Sequence, residues 1–169
     1  MKIRLIDPES LIPDAHVAAE AAVRGVEALI IEHLRKKNDG TRPNRWGMPK
    51  TNYYADAAKN VEASVDGATV RVEIDHPGLA MHYEGGTVYP KKKALALPID
   101  PAVAGIWPSE YSQDHKLFKT PGGALGDAET GKILYILLPR ATIPADPSVL
   151  PTDTEIFGAV EEALMEAVS

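Results

Sequence analysis

The sequence predicts an α+β fold, in which a mainly antiparallel sheet is flanked by an N-terminal and a C-terminal amphipathic helix. The first observation is a long stretch with helical periodicity near the N-terminus, and the second is a shorter one at the C-terminus. The third is the region between them, where short alternating runs are separated by glycine and proline. Helical segments that flank a block of strands are typical of α+β domains.

Length and composition indicate a single globular domain over residues 1–169, with irregular loops at about 38–52 and 107–131. Short strands are an equally open alternative for the second of these regions. Of the 169 residues, 44% are apolar and 25% are charged, as in ordinary globular proteins. The absence of cysteine excludes disulfides and thiolate chemistry. No apolar run approaches the ~20 residues that cross a membrane. The start of the sequence lacks a signal-type apolar core, so we expect a cytoplasmic protein.

The first helix is predicted from about Pro13 to Lys37, where apolar residues recur at i, i+3, i+4 and i+7. This face is rich in alanine, which indicates close packing against a sheet or another helix. Asn38-Asp39-Gly40 is expected to stop the helix. The apolar face consists of Ala15, Ala18, Ala19, Ala22, Val26, Leu29, Ile30 and Leu34.

The middle of the sequence predicts a short helix and several strands. Asp66-Gly67 is the strongest hairpin signal. Pro98 ends an alternating run and is expected at a strand end or a sheet edge. The run ILYILL fits a central strand covered on both faces. The helix is predicted at Tyr53–Val61, and the strands at Glu62–Val65, Thr69–Ile74, Ala94–Ile99 and Ile133–Leu138.

A final helix is predicted after Thr152, because Thr152 and Glu155 have the spacing of a capping box. Its outer face is acidic, with glutamates at positions 161, 162 and 166. Its apolar face is expected to consist of Ile156, Phe157, Val160, Leu164, Ala167 and Val168.

An enzymatic function would have to start from His76, His82, Glu84 and His115, because imidazoles and a carboxylate can bind a metal or transfer protons. Their spacing gives no HExxH helix and no second ligand pair. The sequence also has no GxSxG serine and no phosphate-binding Walker loop. We therefore predict no catalytic, cofactor or metal site, and a metal-dependent hydrolase that uses these four residues is the alternative.

Two basic segments are candidates for contacts with other molecules. Lys91, Lys92 and Lys93 fit the solvated entrance of a strand, where lysine discourages edge-to-edge pairing. A DNA-associated accessory protein that uses these lysines is a second alternative, although the net charge of −6 argues against dedicated nucleic-acid binding. Arg45 and Trp46 belong to a second basic and aromatic loop, where we expect Trp46 to cap the core.

Three segments carry a resemblance to a known family. They are RPNRWGMPKTNYYADAAKNV, GLAMHYEGGTVYPKKKALALPI and GKILYILLPRATIPADPSVLP, in this order. Together they resemble phage virion morphogenesis proteins, the tail-completion and head–tail joining class of long-tailed phages and prophages, including Mu-like elements. The Gly-Gly-Thr-x-x-Pro-Lys pattern is the most distinctive part. The resemblance covers about residues 13–168.

The resemblance implies a non-enzymatic structural protein that joins other phage neck or tail proteins, as a ring of identical subunits. It implies a location in the bacterial host cytoplasm during assembly and then in the virion, without a membrane or a cofactor. In such a ring each interface joins two different faces of the protomer. We hypothesise that residues 40–52 and 83–93 present these faces, because both mix aromatic, glycine or proline, and basic residues. The candidate contact residues are Arg45, Trp46, Tyr83, Tyr89, Lys91, Lys92 and Lys93.

Overall fold

The computed structural model describes residues 15–40, 46–49, 51–66 and 69–168. It has the predicted α+β fold, in which an N-terminal helix precedes the antiparallel strands along the chain and a C-terminal helix follows them. Over the described residues, the helices are α1 (Ala15–Gly40), α2 (Tyr53–Ala57), α3 (Leu79–Glu84), α4 (Pro108–Asp114) and α5 (Asp153–Val168). The strands are β1 (Val61–Asp66), β2 (Thr69–Ile74), β3 (Gly86–Val88), β4 (Leu95–Pro98), β5 (Leu117–Lys119), β6 (Ala124–Asp127), β7 (Ile133–Leu138) and β8 (Ala141–Ile143).

These elements form two compact units, and each is described by itself. The first unit is built from the described parts of residues 1–40, 52–79 and 147–169, and the second unit from those of 41–51 and 80–146. The single domain expected over residues 1–169 stays a prediction.

In the first unit, α1 and α5 pack closely against each other through small residues. A Cβ atom added at Gly25 of α1 would lie 2.8 Å from the carbonyl oxygen of Ala159 and 2.9 Å from the Cβ of Ala163. Both are closer than non-bonded atoms approach, so only glycine fits at this crossing. The close packing expected from the alanine-rich face of α1 is therefore present. The core also holds Val26, Ile30, Leu34, Tyr54, Val61 and Val149.

The predicted end of the first helix was three residues too early, because α1 continues through Asn38 and Asp39 to Gly40. Asn38 is buried, and its Oδ1 accepts a hydrogen bond of 3.3 Å from the backbone N–H of Ala55. A side chain with a tertiary partner can stay inside a helix, whereas the sequence shows only a residue that favours turns.

The hairpin signal at Asp66 was correct. β1 and β2 pair antiparallel, with Asp66 opposite Thr69, and residues 67 and 68 of the turn lie outside the described residues. The short helix before the hairpin is divided into α2 and a 3-10 turn at Ala58–Asn60. Val61, the predicted last residue of that helix, already belongs to β1.

The final helix begins as predicted, and Ile156 and Val160 of the predicted apolar face pack against the core. The Glu155 carboxylate accepts hydrogen bonds from the N–H and the hydroxyl of Thr152, at 2.7 and 2.8 Å, which confirms the capping box. Phe157 was predicted on the apolar face and is instead exposed. The reason is the contact with Gly25, which needs Ala159 and Ala163 against α1 and leaves Phe157 on another side of the helix.

The second unit is organised around a four-stranded antiparallel sheet with the order β4-β7-β6-β5. β7 is central, as the ILYILL run predicts, although only Leu134 and Tyr135 are buried and the other residues of the strand are half-buried. Pro98 is the last residue of the edge strand β4, as expected. A second sheet of two strands pairs β3 with β8.

Residues 107–131 were predicted as an irregular loop, with short strands as the alternative. The irregular loop was wrong and short strands are present, because the region contains α4, β5 and β6. Proline at the first position of α4 suits a helix start, since its missing N–H is not needed there. Because β6 contains a glycine, this strand could not be assigned from the sequence. A Cβ atom at Gly126 would lie 2.6 Å from the Phe118 ring, so this glycine makes room for packing rather than for a turn.

Candidate protein-contact surface

Six of the seven predicted contact residues are described, and all six belong to the second unit, whereas Arg45 lies outside the described residues. Trp46 is half-buried, in keeping with a residue at the margin of a core. Tyr83 lies in α3 and is 40% exposed. Tyr89 follows β3 and is 64% exposed. The lysines at positions 91 to 93 are all exposed.

Tyr89 and the three lysines lie in the connection between β3 and β4, two strands that belong to different sheets. β3 before them pairs with β8, and β4 after them pairs with β7. The turn into β3 requires glycine at position 85, where φ is +75° and a Cβ atom would lie 2.6 Å from the backbone nitrogen of Ala145. Residues 82–84, directly before this glycine, are the end of α3.

Lys92 and Lys93 border a groove of about 870 Å³ in the second unit. Lys119 of β5 is the third lysine on its rim, and no described lining residue is acidic. The apolar part of the lining comes from α4 and from the sheet, and includes Ala96, Pro108, Leu125, Leu137, Leu138 and Pro139. A cationic rim over an apolar floor favours a ligand that is both acidic and apolar.

Sequence reasoning missed several exposed apolar side chains. Trp107 is 69% exposed and directly precedes Pro108 of the groove, and Phe118 is partly exposed on β5. In the first unit, Phe157 and Met165 project from α5. The Trp107-Pro108 pair could have been recognised as a helix start. The exposure of Phe157 could not, because it depends on how α5 packs on α1.

The scaffold beside the groove is held by Asp127, a buried carboxylate with several hydrogen bonds. Its Oδ1 accepts from the backbone N–H of Glu129 at 3.1 Å, and from the N–H and the hydroxyl of Thr130 at 2.7 and 2.8 Å. Its Oδ2 accepts from the Tyr111 hydroxyl at 3.1 Å. The bonds from Thr130 are the main cause of a lowered pKa at Asp127, while burial is the main cause of a raised pKa at Tyr111.

Asp100, which follows β4, also holds a turn in place. It forms an ion pair of 2.5 Å with Lys132, and it caps a 3-10 turn by accepting from the N–H of Ala102 at 2.9 Å. The hydrogen bond from Lys132 is the main cause of its lowered pKa. Both carboxylates are engaged in holding turns, which leaves them poorly placed to take a proton from a substrate.

Two residues of the hydrolase alternative, His76 and His115, each pack against a tyrosine ring. The ring of His76, in the first unit, packs edge-on against Tyr53 at 4.5 Å, and its Nδ1 is buried without a hydrogen bond. In the second unit, the ring of His115 stacks on Tyr111 at 4.4 Å. His82 and Glu84 are two residues apart on α3, a spacing that does not put helical side chains side by side.

Among the described residues, no three His, Cys, Asp or Glu side chains are grouped as ligands of a metal ion. None of the described helices is both long and apolar enough to span a membrane. The features that stand out in the second unit are its exposed aromatic residues and a groove with a lysine rim.

Comparison with known proteins adds no relative of this chain. No protein-family model, curated protein or solved structure matches it.

Proposed function

We propose that this chain is a structural protein of phage or prophage virion assembly, a tail-completion or head–tail joining adaptor that acts through protein–protein contacts. Its partners are other neck or tail proteins, together with further copies of itself in a ring. It is placed in the bacterial host cytoplasm during assembly and in the finished virion afterwards. The resemblance of three sequence segments to virion morphogenesis proteins supports the class.

The observation that carries the contact function is the exposure of aromatic side chains in the second unit. Tyr89 is 64% and Trp107 is 69% exposed, and Tyr83 is also exposed. Aromatic residues are enriched at protein interfaces, because they bury much apolar area with little loss of side-chain freedom. Lysines 91 to 93 beside Tyr89 supply charge at the margin of such a contact.

The test is deletion of the coding gene from the element that carries it, followed by electron microscopy of the particles. We expect separate heads and tails, or tails without completed ends, and a loss of infectious titre of at least a hundredfold. A plasmid copy of the wild-type gene should restore the particles. Intact, infectious particles from the deletion would contradict the proposal.

Point variants then connect the defect to the surface. We expect a copy with Tyr83→Ala and Tyr89→Ala to restore few particles, since both exposed rings are removed. The matched control is Ser112→Ala, an exposed residue of α4 in the same unit. If the tyrosine variant restores as many particles as the control, these tyrosines are not the contact.

The DNA-associated alternative depends on Lys91, Lys92 and Lys93, which are exposed as such a role requires. Binding through phosphate contacts would weaken steeply with salt. A gel shift with linear duplex DNA at low salt, lost after all three lysines are changed to glutamine, would favour this alternative. No shift at low salt would leave the lysines to protein contacts.

A further inference from the structure

We propose that the lysine-rimmed groove of the second unit binds the C-terminal helix α5 of a second copy of this chain, so that copies associate head to tail. The inference rests on the proposed function, because it assigns the surfaces through which identical subunits would meet.

The groove has the chemistry to take one side of a helix. Its volume is about 870 Å³, and its lining combines Leu125, Leu137 and two prolines with the lysines at positions 92, 93 and 119. Amphipathic helices bind proteins by laying apolar anchors into such a groove. The lysines would meet acidic residues beside those anchors.

The exposed side of α5 has the complementary chemistry. Phe157, Glu161 and Met165 are spaced at i, i+4 and i+8, so they lie along one line of the helix. Phe157 is 69% and Met165 is 74% exposed, and eight residues of helix place them about 12 Å apart. Exposed glutamates at 162 and 166 lie next to this line. The surface therefore offers two large apolar anchors and three carboxylates.

Docking does not require α5 to leave its own unit. The helix packs on α1 through Ala159 and Ala163, which approach Gly25, whereas Phe157 and Met165 are exposed. The anchors are thus presented on a helix that is already held in place. A preformed helix binds with less loss of conformational entropy than a peptide that must fold first.

The formal charges of the two units are complementary as well. The segments of the first unit contain eight Lys or Arg and seventeen Asp or Glu, and those of the second contain ten Lys or Arg and seven Asp or Glu. The first unit of one copy would thus be attracted to the second unit of another. Two copies of α5 would repel each other, because both are acidic. Charge therefore favours contact between unlike faces.

Contact between unlike faces has a consequence for assembly. A heterologous interface leaves one free groove and one free helix at the ends of every pair, so that further copies can add. Such a contact closes into a ring when the rotation between neighbours allows it.

The absence of cysteine from the sequence permits a direct test with full-length single-cysteine variants. One protein carries Gly158→Cys on α5, next to Phe157 and at a position where an added Cβ atom has nothing within 4 Å, and the other carries Pro139→Cys at the groove. Because each protein has one thiol, a disulfide between the two can only join separate molecules. The control replaces the groove position with Gln113→Cys, an exposed residue of α4 that does not line the groove.

The measurement is the initial rate of mixed-disulfide formation between differently tagged proteins under mild oxidation. We expect the Pro139→Cys rate to exceed the Gln113→Cys rate by about tenfold, since docking raises the local thiol concentration. Adding Lys92→Glu and Lys93→Glu to the Pro139→Cys protein should lower the rate to that of the control. Circular dichroism of every variant verifies that each one is folded.

A further variant distinguishes a lost charge attraction from misfolding as the cause of a lowered rate. Glu161→Lys and Glu162→Lys on the Gly158→Cys protein should restore the fast rate with the charge-reversed groove, because the attraction is rebuilt with opposite signs. Equal rates for Pro139→Cys and Gln113→Cys, or a fast rate that charge reversal leaves unchanged, would overturn the inference. The deletion phenotype would be unaffected by that result, so failure of the inference and failure of the proposed function are distinguishable.

Discussion

The two units hold their elements together by different means. In the first unit, α1 and α5 meet at Gly25, where the backbones come so close that no side chain fits. In the second unit, Asp127 ties the turn between β6 and β7 with hydrogen bonds from Glu129, Thr130 and Tyr111. The first arrangement depends on shape and the second on charge. The two units should therefore respond to different perturbations.

The largest effect is expected at the helix crossing. Gly25→Val would place methyl groups where the carbonyl oxygen of Ala159 already lies, and a backbone atom cannot rotate away. We expect a loss of about 3 kcal/mol in the free energy of unfolding, at the upper end for an overpacked site. Urea unfolding followed by circular dichroism measures the change.

Gly158→Ala in α5 is the matched control, because nothing lies within 4 Å of a Cβ atom added there. Alanine is a better helix former than glycine, so this variant should gain about 0.5–1 kcal/mol. A Gly25→Val protein as stable as the wild type would show that the helices do not meet as closely as described.

Asp127 should make the stability of the second unit depend on acid. Because the folded-state pKa of Asp127 is lowered, its contribution is fully present above the unfolded pKa of about 3.9 and is lost as the pH falls through the folded-state value. Asp127→Asn should therefore weaken the dependence of stability on pH below about pH 4. Urea midpoints between pH 2 and pH 6 would measure it.

Asp114→Asn, at an exposed carboxylate in the same unit, serves as the comparison. We expect it to keep the acid sensitivity of the wild type. If Asp127→Asn shows the same pH dependence as Asp114→Asn, the hydrogen bonds to Asp127 do not stabilise its charged form.

A smaller effect is expected at the start of α5. Thr152→Ala removes the hydroxyl that donates to Glu155 and accepts from the Glu155 N–H, at 2.8 and 3.4 Å. Loss of an N-cap side chain costs about 1 kcal/mol. Thr154 is the second residue of α5, and Thr154→Ala should change the unfolding midpoint much less. Equal midpoints for the two variants would argue against the capping box.

The smallest change in stability is expected at the contact surface. Tyr89→Ala should alter the free energy of unfolding by less than about 0.5 kcal/mol, because the ring is largely exposed. Tyr135→Phe should cost about 1 kcal/mol, since the buried hydroxyl donates to the Ile106 carbonyl at 3.0 Å. A strongly destabilised Tyr89→Ala protein would make Tyr89 part of the fold and remove it from the contact surface.

Much of the fold followed from local patterns. The capping box at Thr152 and the hairpin at Asp66 each combine a cap or turn with a periodic run, and ILYILL is a continuous apolar run. The structure has all three elements. Where local and tertiary preferences agree, sequence reasoning succeeds.

The elements that were missed depend on tertiary contacts. Asn38 stays in α1 because Ala55 gives it a partner, and Gly126 lies in a strand because the Phe118 ring covers it. A single sequence shows only that these residue types favour turns. For the candidate site, exposure at Tyr83, Tyr89 and the lysines was anticipated, whereas Trp107 and the groove were not. A groove depends on which strands are neighbours, and that is a property of the whole sheet.

We propose that the chain works as a part of a particle rather than as a catalyst. Quantitative mass spectrometry of purified particles from the element that encodes it tests this most directly. We predict that the chain is present in finished particles at a fixed copy number relative to the portal protein, and that Tyr83→Ala with Tyr89→Ala lowers this number sharply. Normal, infectious particles that contain none of the chain would contradict the account.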